Sequence, residues 1–148
     1  MTDTKISLAT INDLAAILDL AQEFSDEASE HHKWDRDKVE EALMASFEDD
    51  NQVIITLIVD GNIVGALFGV LTSPFLSHKV VATELAWFVT KRYRGRGAIH
   101  MISVFEQWAQ FNGADSVVMA DLAHVANLSP LYNKLGYSRL ETNYIKEV

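Results

Sequence analysis

The chain has 148 residues, enough for one domain with a substantial core and too few for two ordinary domains. Its hydrophobic fraction of 49% and charged fraction of 22% are those of a globular protein, and no apolar run approaches the roughly 20 residues of a membrane-spanning helix. The absence of cysteine excludes disulfides and thiolate sites, while the net charge of -9 argues against a broad nucleic-acid-binding surface.

The N-terminal part of the chain predicts one strand and two helices. Alternating apolar residues at 6–8 indicate a short first strand. Asn12 can cap a helix over residues 14–24, in which apolar side chains recur at helical spacing. A polar stretch without periodicity follows, and a second helix is expected over residues 39–47.

The middle of the chain predicts three strands. Two apolar runs, 53–59 and 63–71, are joined by Asp60-Gly61-Asn62, which is a strong β-hairpin signal. A break at Thr72-Ser73-Pro74 begins a loop, and residues 80–90 are rich in the β-branched and aromatic side chains that favour a strand.

The last third predicts alternating helices and strands. A helix over 98–111 is followed by Gly113, a residue typical of the position after a helix C-terminus. A strand over 116–119 comes next, and then a short helix with Ser129 as cap and Pro130 at its first position. Residues 137–145 are predicted to form one or two final strands. The element order indicates a single α/β domain over residues 1–148, with a mixed sheet.

An arginine- and glycine-rich turn, Arg92-Tyr93-Arg94-Gly95-Arg96-Gly97, lies between the strand over 80–90 and the helix over 98–111. The first turn of a helix has unpaired N–H groups and attracts anions, and glycines let a phosphate approach the backbone. The turn therefore predicts a pyrophosphate site. Neither a P-loop nor a dinucleotide G-x-G-x-x-G pattern occurs here. The alternative to a pyrophosphate site is an ordinary basic turn, in which the glycines only cap and bend the chain.

The segment ELAWFVTKRYRGRGAIHMI, followed by a strand and by PLYNKLGY, resembles the GNAT family of N-acetyltransferases. The family signature [R/Q]-x-x-G-x-[G/A] is matched by Arg92, Gly95 and Gly97, and its later Y-x-x-x-G-[FY] by residues 132–137. The resemblance implies a mixed, mostly antiparallel sheet, splayed between strands 4 and 5 and flanked by about four helices. It also implies an enzyme, and the absence of cysteine suits a cytoplasmic protein.

The resemblance further implies acetyl-CoA as co-substrate, with no metal. The turn would hold the pyrophosphate through its backbone amides, and the end of the preceding strand would pair with the pantetheine arm. The cofactor-binding residues implied are Phe88, Val89, Arg92, Arg94, Gly95, Arg96, Gly97, Ala98 and Asn127. The asparagine that many members carry seven residues before the tyrosine falls on Val125, so Asn127 either contacts CoA or braces the short helix.

Two residues are candidates for the chemistry. Tyr132 matches the tyrosine that GNAT enzymes often place near the CoA sulfur, where a proton donor assists thiolate departure. Glu84 is the only acidic residue between Asp60 and Glu106 and lies in an apolar strand, which predicts the raised pKa of a general base. A packing tyrosine and a solvent-facing glutamate are the structural alternatives. Two histidines could serve instead, His124 as a base and His100, whose place in the cofactor helix favours a structural role.

The acceptor is expected to be a primary amine of a small molecule or peptide. Residues 1–50 carry 14 acidic and 4 basic side chains, and the first two helices usually line the acceptor site of GNAT proteins. An acidic, partly aromatic wall suits a cation, although charged helix faces are often only solvated. Its residues are Glu27, Glu30, His31, His32, Trp34 and Asp35. The alternatives are a regulatory protein that binds acyl-CoA without turnover, and a toxin-like enzyme acting on aminoacyl-tRNA. The resemblance also implies a homodimer as one assembly.

Overall fold

A computed structural model describes residues 2–28, 33–121 and 127–148. Its nine helices and strands within those ranges form the predicted mixed α/β fold. In chain order they are β1 (Thr4–Leu8), α1 (Leu14–Ala28), α2 (Arg36–Phe47), β2 (Gln52–Val59), β3 (Asn62–Thr72), β4 (Val81–Val89), α3 (Arg96–Phe111), β5 (Ser116–Val118) and α4 (Ser129–Lys134). Of the helices described, none has the length and apolarity needed to cross a membrane.

The five strands form one sheet in the order β1-β2-β3-β4-β5. The first four strands are antiparallel to their neighbours, and β5 runs parallel to β4. The predicted hairpin between β2 and β3 is confirmed. Asp60 and Gly61, with φ of 50° and 83°, both occupy the left-handed region that a tight hairpin turn requires.

The core lies on both faces of the sheet, with α3 on one face and α1 and α2 on the other. Alternate residues of β2, such as Ile55 and Leu57, pack with Met101 and Phe105 of α3, whereas Ile54, directly before Ile55, packs with the first two helices. This alternation is the period of two expected of a strand covered on both sides. The absence of a side chain at Gly69 leaves room for the Phe105 ring.

Several predicted boundaries differ from those of the structure. The first helix begins with a 3₁₀ turn over Ile11–Asp13 that follows Thr10 rather than Asn12, and the Asp13 carboxylate accepts a hydrogen bond from the Thr10 N–H at 2.8 Å. Helix α3 begins at Arg96, two residues earlier than predicted, because Gly95 takes the capping position.

The prediction of final strands over residues 137–145 is wrong. The structure describes these residues without strand pairing, and the Leu140 and Tyr144 side chains are exposed. Their composition suits a strand, but a strand also needs a neighbour with which to exchange hydrogen bonds, and composition does not supply one.

Candidate active site

The sheet opens at the end of β5. The strands β4 and β5 pair at only three positions, the last of which joins Thr83 to Val118. One residue later β4 contains a bulge, since Gly69 of β3 faces Glu84 and the adjacent Phe68 faces Ala86. The extra residue, Leu85, projects outward and is exposed. Bulges often lie beside active sites, where they redirect a side chain. We call the region where β4 and β5 part the fork.

Glu84 lies at the start of the fork, as the first residue after the last β4–β5 pair. Its side chain is buried, with 8% of the residue exposed, and the backbone N–H of Ala120 donates a hydrogen bond to the carboxyl group. Burial raises its pKa from 4.5 to about 7, against the smaller opposing effect of that hydrogen bond. Glu84 therefore exchanges a proton near neutral pH, and it does not face solvent.

Tyr132 also binds the backbone of Ala120, from the other side. Its hydroxyl donates a 2.7 Å hydrogen bond to the carbonyl oxygen of Ala120, whose N–H binds Glu84. Burial raises the pKa of the Tyr132 hydroxyl, and the nearby Glu84 carboxylate raises it further. Two titratable side chains are therefore joined through the backbone of one residue, Ala120, at the fork. Ala120 has no functional side chain, so nothing in the sequence indicated its part.

The Y-x-x-x-G-Y motif has a physical explanation in the end of α4. Gly136 adopts φ of 91°, the N–H of Tyr137 donates to the Tyr132 carbonyl at 2.9 Å, and the N–H of Gly136 donates to Asn133 at 3.2 Å. These bonds form a Schellman motif, which ends a helix and brings its flanking side chains together. The Tyr132 and Tyr137 rings accordingly lie 5.7 Å apart. The motif thus fixes the tyrosine at the fork.

A second acidic residue continues this network away from the fork. The Tyr137 hydroxyl donates a 2.9 Å hydrogen bond to Glu106 of α3. Burial raises the pKa of Tyr137, and the bond to Glu106 adds to the effect. The contact ties α4 to α3. Sequence reasoning assigned no role to Glu106, which lies 31 residues from its partner.

The Arg/Gly turn ends at the N-terminus of α3. A 3₁₀ turn over Lys91–Tyr93 leads from β4 to Gly95, and the N–H of Ile99 makes the first hydrogen bond of the helix, to the Gly95 carbonyl at 3.0 Å. The amides of residues 96–98 precede that bond and have no acceptor within the helix. They give the turn three backbone donors at the positive end of a 16-residue helix.

The two glycines of the turn have different surroundings. A side chain added at Gly95 would meet nothing within 4 Å, whereas one at Gly97 would lie 3.1 Å from Leu57 and 3.5 Å from Thr4. Gly97 therefore lets α3 pack closely against β1 and β2. The open space beside Gly95 is where an anion could approach the free amides.

The three arginines of the turn also differ. Arg94 donates hydrogen bonds to the Val89 carbonyl and to Glu27 of α1, each at 2.7 Å. Arg92 is exposed, with its guanidinium 5.5 Å from the centre of the Tyr93 ring. Arg96 is exposed beside a cavity of about 210 Å³ along α3. The other residues lining this cavity are Ile99, His100, Ile102, Ser103, Glu106 and Leu135.

The remaining cofactor candidates lie on both sides of the fork. Phe88 and Val89 are buried at the end of β4, beyond its last pair with β5. The Asn127 side-chain oxygen accepts a hydrogen bond from the Ser129 N–H at 3.2 Å, so Asn127 braces the start of α4. His124 and Val125 lie outside the described residues.

Part of the predicted acceptor wall is described. Asp35 caps α2 by accepting a hydrogen bond from the Lys38 N–H at 3.2 Å, and the preceding Trp34 is half-buried. Glu27 is paired with Arg94. Glu30, His31 and His32 lie outside the described residues. Across the ranges that the structure describes, no three histidine, aspartate or glutamate side chains are grouped as metal ligands.

The sequence profile of the acetyltransferase (GNAT) family matches residues 14–137. No curated protein matches the chain at the significance required. Among solved structures, a ribosomal-protein-alanine N-acetyltransferase from Brucella melitensis biovar Abortus 2308 is 18% identical, with a TM-score of 0.77 and 99% of each chain covered. A transcriptional regulator from Bacillus halodurans C-125 is 18% identical, with a TM-score of 0.81 and coverage of 99% of this chain and 100% of that one. The structure of AAC(6')-Iy with the bisubstrate analog CoA-S-monomethyl-acetylneamine is 15% identical, with a TM-score of 0.77 and coverage of 99% and 98%. At these identities the structures establish a shared fold.

Proposed function

The chain belongs to the acetyltransferase (GNAT) family, and we propose that it is an acetyl-CoA-dependent N-acetyltransferase. Its reaction would be direct attack of a primary amine on the thioester. The observation that carries this proposal is the meeting of Glu84 and Tyr132 on Ala120, at the fork between β4 and β5. A proton acceptor and a proton donor are the two groups that acetyl transfer to an ammonium substrate needs.

The free amides of residues 96–98 would receive the CoA pyrophosphate, because the helix N-terminus attracts anions and Gly95 leaves space beside it. Arg92 and Arg96 are exposed and would add positive charge. From there the pantetheine arm would follow the edge of β4 that extends beyond its last pair with β5, past Val89 and Phe88, toward Glu84. A bound CoA bisubstrate analog in a structure of the same fold supports this cofactor class.

Glu84 would act as the general base. In its ionised form it removes a proton from the ammonium group, so that the neutral amine can attack the thioester carbonyl carbon. A pKa of about 7 suits this role, because a base is most effective when its pKa lies near the working pH.

Tyr132 would act on the leaving group. When the tetrahedral intermediate collapses, the carbon–sulfur bond breaks and its electron pair goes to sulfur. The attacking nitrogen loses its second proton, which ends on the departing sulfur, so that the products are the amide and the CoA thiol. The ordinary thiol pKa is about 8.5, below the raised pKa of Tyr132, so complete proton transfer from the phenol is uphill. Tyr132 would therefore act chiefly as a hydrogen-bond donor, turning its hydroxyl from the Ala120 carbonyl to the thiolate, and its raised pKa keeps it protonated.

The acceptor would be a cationic amine of a small molecule or peptide, since residues 1–50 are strongly acidic. The similarity in fold to a transcriptional regulator from Bacillus halodurans C-125 favours one alternative function, that of a regulatory protein that binds acyl-CoA without turnover. The two functions differ in whether CoA is released.

The test is a thermal-unfolding titration with acetyl-CoA, followed by a CoA-release assay with a panel of amines. A ligand that binds only the native state raises the unfolding temperature. At 100 times its Kd, it adds about 2.7 kcal/mol to the free energy of unfolding. We expect both a shift and amine-dependent release, with the acetylated amine identified by mass spectrometry. A shift without release from any amine would favour the regulatory protein, and no shift would end the proposal.

Valine substitutions at the two glycines of the turn should affect different properties, acetyl-CoA binding at Gly95 and folding stability at Gly97. Gly95→Val adds a side chain in open space, so the unfolding temperature should hold while acetyl-CoA binds at least tenfold more weakly. Gly97→Val places atoms against Leu57, and such overpacking costs about 1–3 kcal/mol of stability. Calorimetric titration and thermal unfolding of both variants check this. Unchanged acetyl-CoA affinity in Gly95→Val would move the phosphate site away from the turn.

A further inference from the structure

The Arg/Gly turn, the proposed cofactor-binding turn over residues 92–97, is attached to α1 through Arg94. We refer to it below as the cofactor turn. The Arg94 Nε donates to the Val89 carbonyl and one terminal nitrogen donates to Glu27, each at 2.7 Å, while the guanidinium carbon lies 5.3 Å from the centre of the Phe88 ring. The side chain is thus held at three points. The Glu27 carboxylate neutralises its charge, and Arg94 holds the pKa of that carboxyl below its ordinary value.

Two further contacts join the same face of α1 to the same end of β4. The Thr90 hydroxyl donates to Glu23 at 3.4 Å, and the Phe24 and Phe88 rings lie 5.3 Å apart. Glu23 and Glu27 are four residues apart, one turn of the helix, so both face the strand. Together with Arg94 these contacts form what we call the α1 brace.

We propose that Arg94 is a positioning residue, anchored by Glu27, which holds the cofactor turn from the α1 side rather than contacting phosphate itself. This inference rests on the proposed function. Its basis is the direction of the guanidinium, which binds the end of β4 and α1. The brace fixes Val89 and, through the short turn after it, the backbone amides that would meet the pyrophosphate.

The sign of one substitution separates the brace from a phosphate contact. If Arg94 bound phosphate, Glu27→Gln would remove a competing carboxylate, and acetyl-CoA affinity would stay equal or rise. If Arg94 is a brace, the same change removes its anchor, and affinity should fall roughly tenfold. Arg94→Lys keeps the positive charge but loses the planar two-point geometry of the guanidinium, so the acetyl-CoA affinity of this variant should fall by a similar factor.

The experiment is calorimetric titration of acetyl-CoA and of free CoA into the wild type, Glu27→Gln, Arg94→Lys and the double variant. The double variant should bind no more weakly than Arg94→Lys alone, because the two changes break the same contact. Both side chains are about one-third exposed, so the variants should fold, and thermal unfolding without ligand checks this. Asp26→Asn, an exposed carboxylate one residue from Glu27, is the matched control.

Kinetics give a second readout. A brace acting on the turn should raise the KM for acetyl-CoA while leaving kcat within about twofold. Equal or tighter acetyl-CoA binding by Glu27→Gln, or additive losses in the double variant, would overturn the inference. If the wild type itself did not bind acetyl-CoA, the proposed function would fail instead, so the two failures are distinct.

Discussion

Glu84→Gln is expected to lower kcat/KM by on the order of 10²–10⁴ and, at the same time, to make the folded protein more stable above neutral pH. Both effects follow from one group. As proposed, the ionised carboxylate removes the proton from the amine, and glutamine cannot replace it. The glutamine side-chain oxygen can still accept the hydrogen bond from Ala120, so the fork should keep its shape.

The stability effect has a definite sign. The pKa of Glu84 is about 7 in the folded protein and returns to 4.5 on unfolding, so the folded state holds this proton more tightly. The resulting stabilisation is complete below pH 4.5 and is lost as the pH rises through 7. The loss is on the order of 3 kcal/mol, since one pKa unit corresponds to about 1.36 kcal/mol. The variant should therefore match the wild type at low pH and exceed it at pH 8.

The measurements are chemical unfolding and kcat/KM for both proteins between pH 5 and pH 8.5. The wild-type kcat/KM should rise with pH through an apparent pKa of about 7, where its stability declines. Glu48→Gln, an exposed carboxylate at the end of α2, is the control and should change neither profile. A wild-type profile that is flat across this range, or full activity in Glu84→Gln, would remove Glu84 from the chemistry.

Periodicity and turn chemistry predicted the elements that lie before the fork. The hairpin at Asp60-Gly61 and the alternation along β2 depend on local conformation and on burial, and both leave a direct trace in the sequence. The fork between β4 and β5 was expected from the family resemblance. The final strands were not predicted correctly, because strand pairing depends on partners that are distant in sequence.

The same limit explains what was missed at the site. The solitary Glu84 in an apolar strand signalled a raised pKa, but nothing in the sequence indicated that Ala120 would join it to Tyr132. Arg94 looked equivalent to its neighbours Arg92 and Arg96. Its different surroundings come from Glu27, which lies 67 residues away, and charge patterns do not specify such pairings.

Tyr132→Phe is the second substitution with a large expected effect. We expect turnover to fall by on the order of 10²-fold, because the thiolate loses its hydrogen-bond donor, while the acetyl-CoA Kd stays within about twofold. The change also removes the bond to the Ala120 carbonyl, which should cost about 1 kcal/mol of stability. Steady-state kinetics and calorimetric titration separate these effects.

Tyr137→Phe is the matched control. It removes a hydroxyl that makes one hydrogen bond, to Glu106, from the ring packed against Tyr132, so its cost in stability should be similar. Tyr137 points toward α3 rather than the fork, so its loss should leave turnover within a few-fold of the wild type. Because both variants lose one hydrogen-bonded hydroxyl, a general loosening of α4 would slow both equally. Only a donor at the sulfur predicts that Tyr132→Phe alone becomes slow, and equal rates in the two variants would assign Tyr132 to packing.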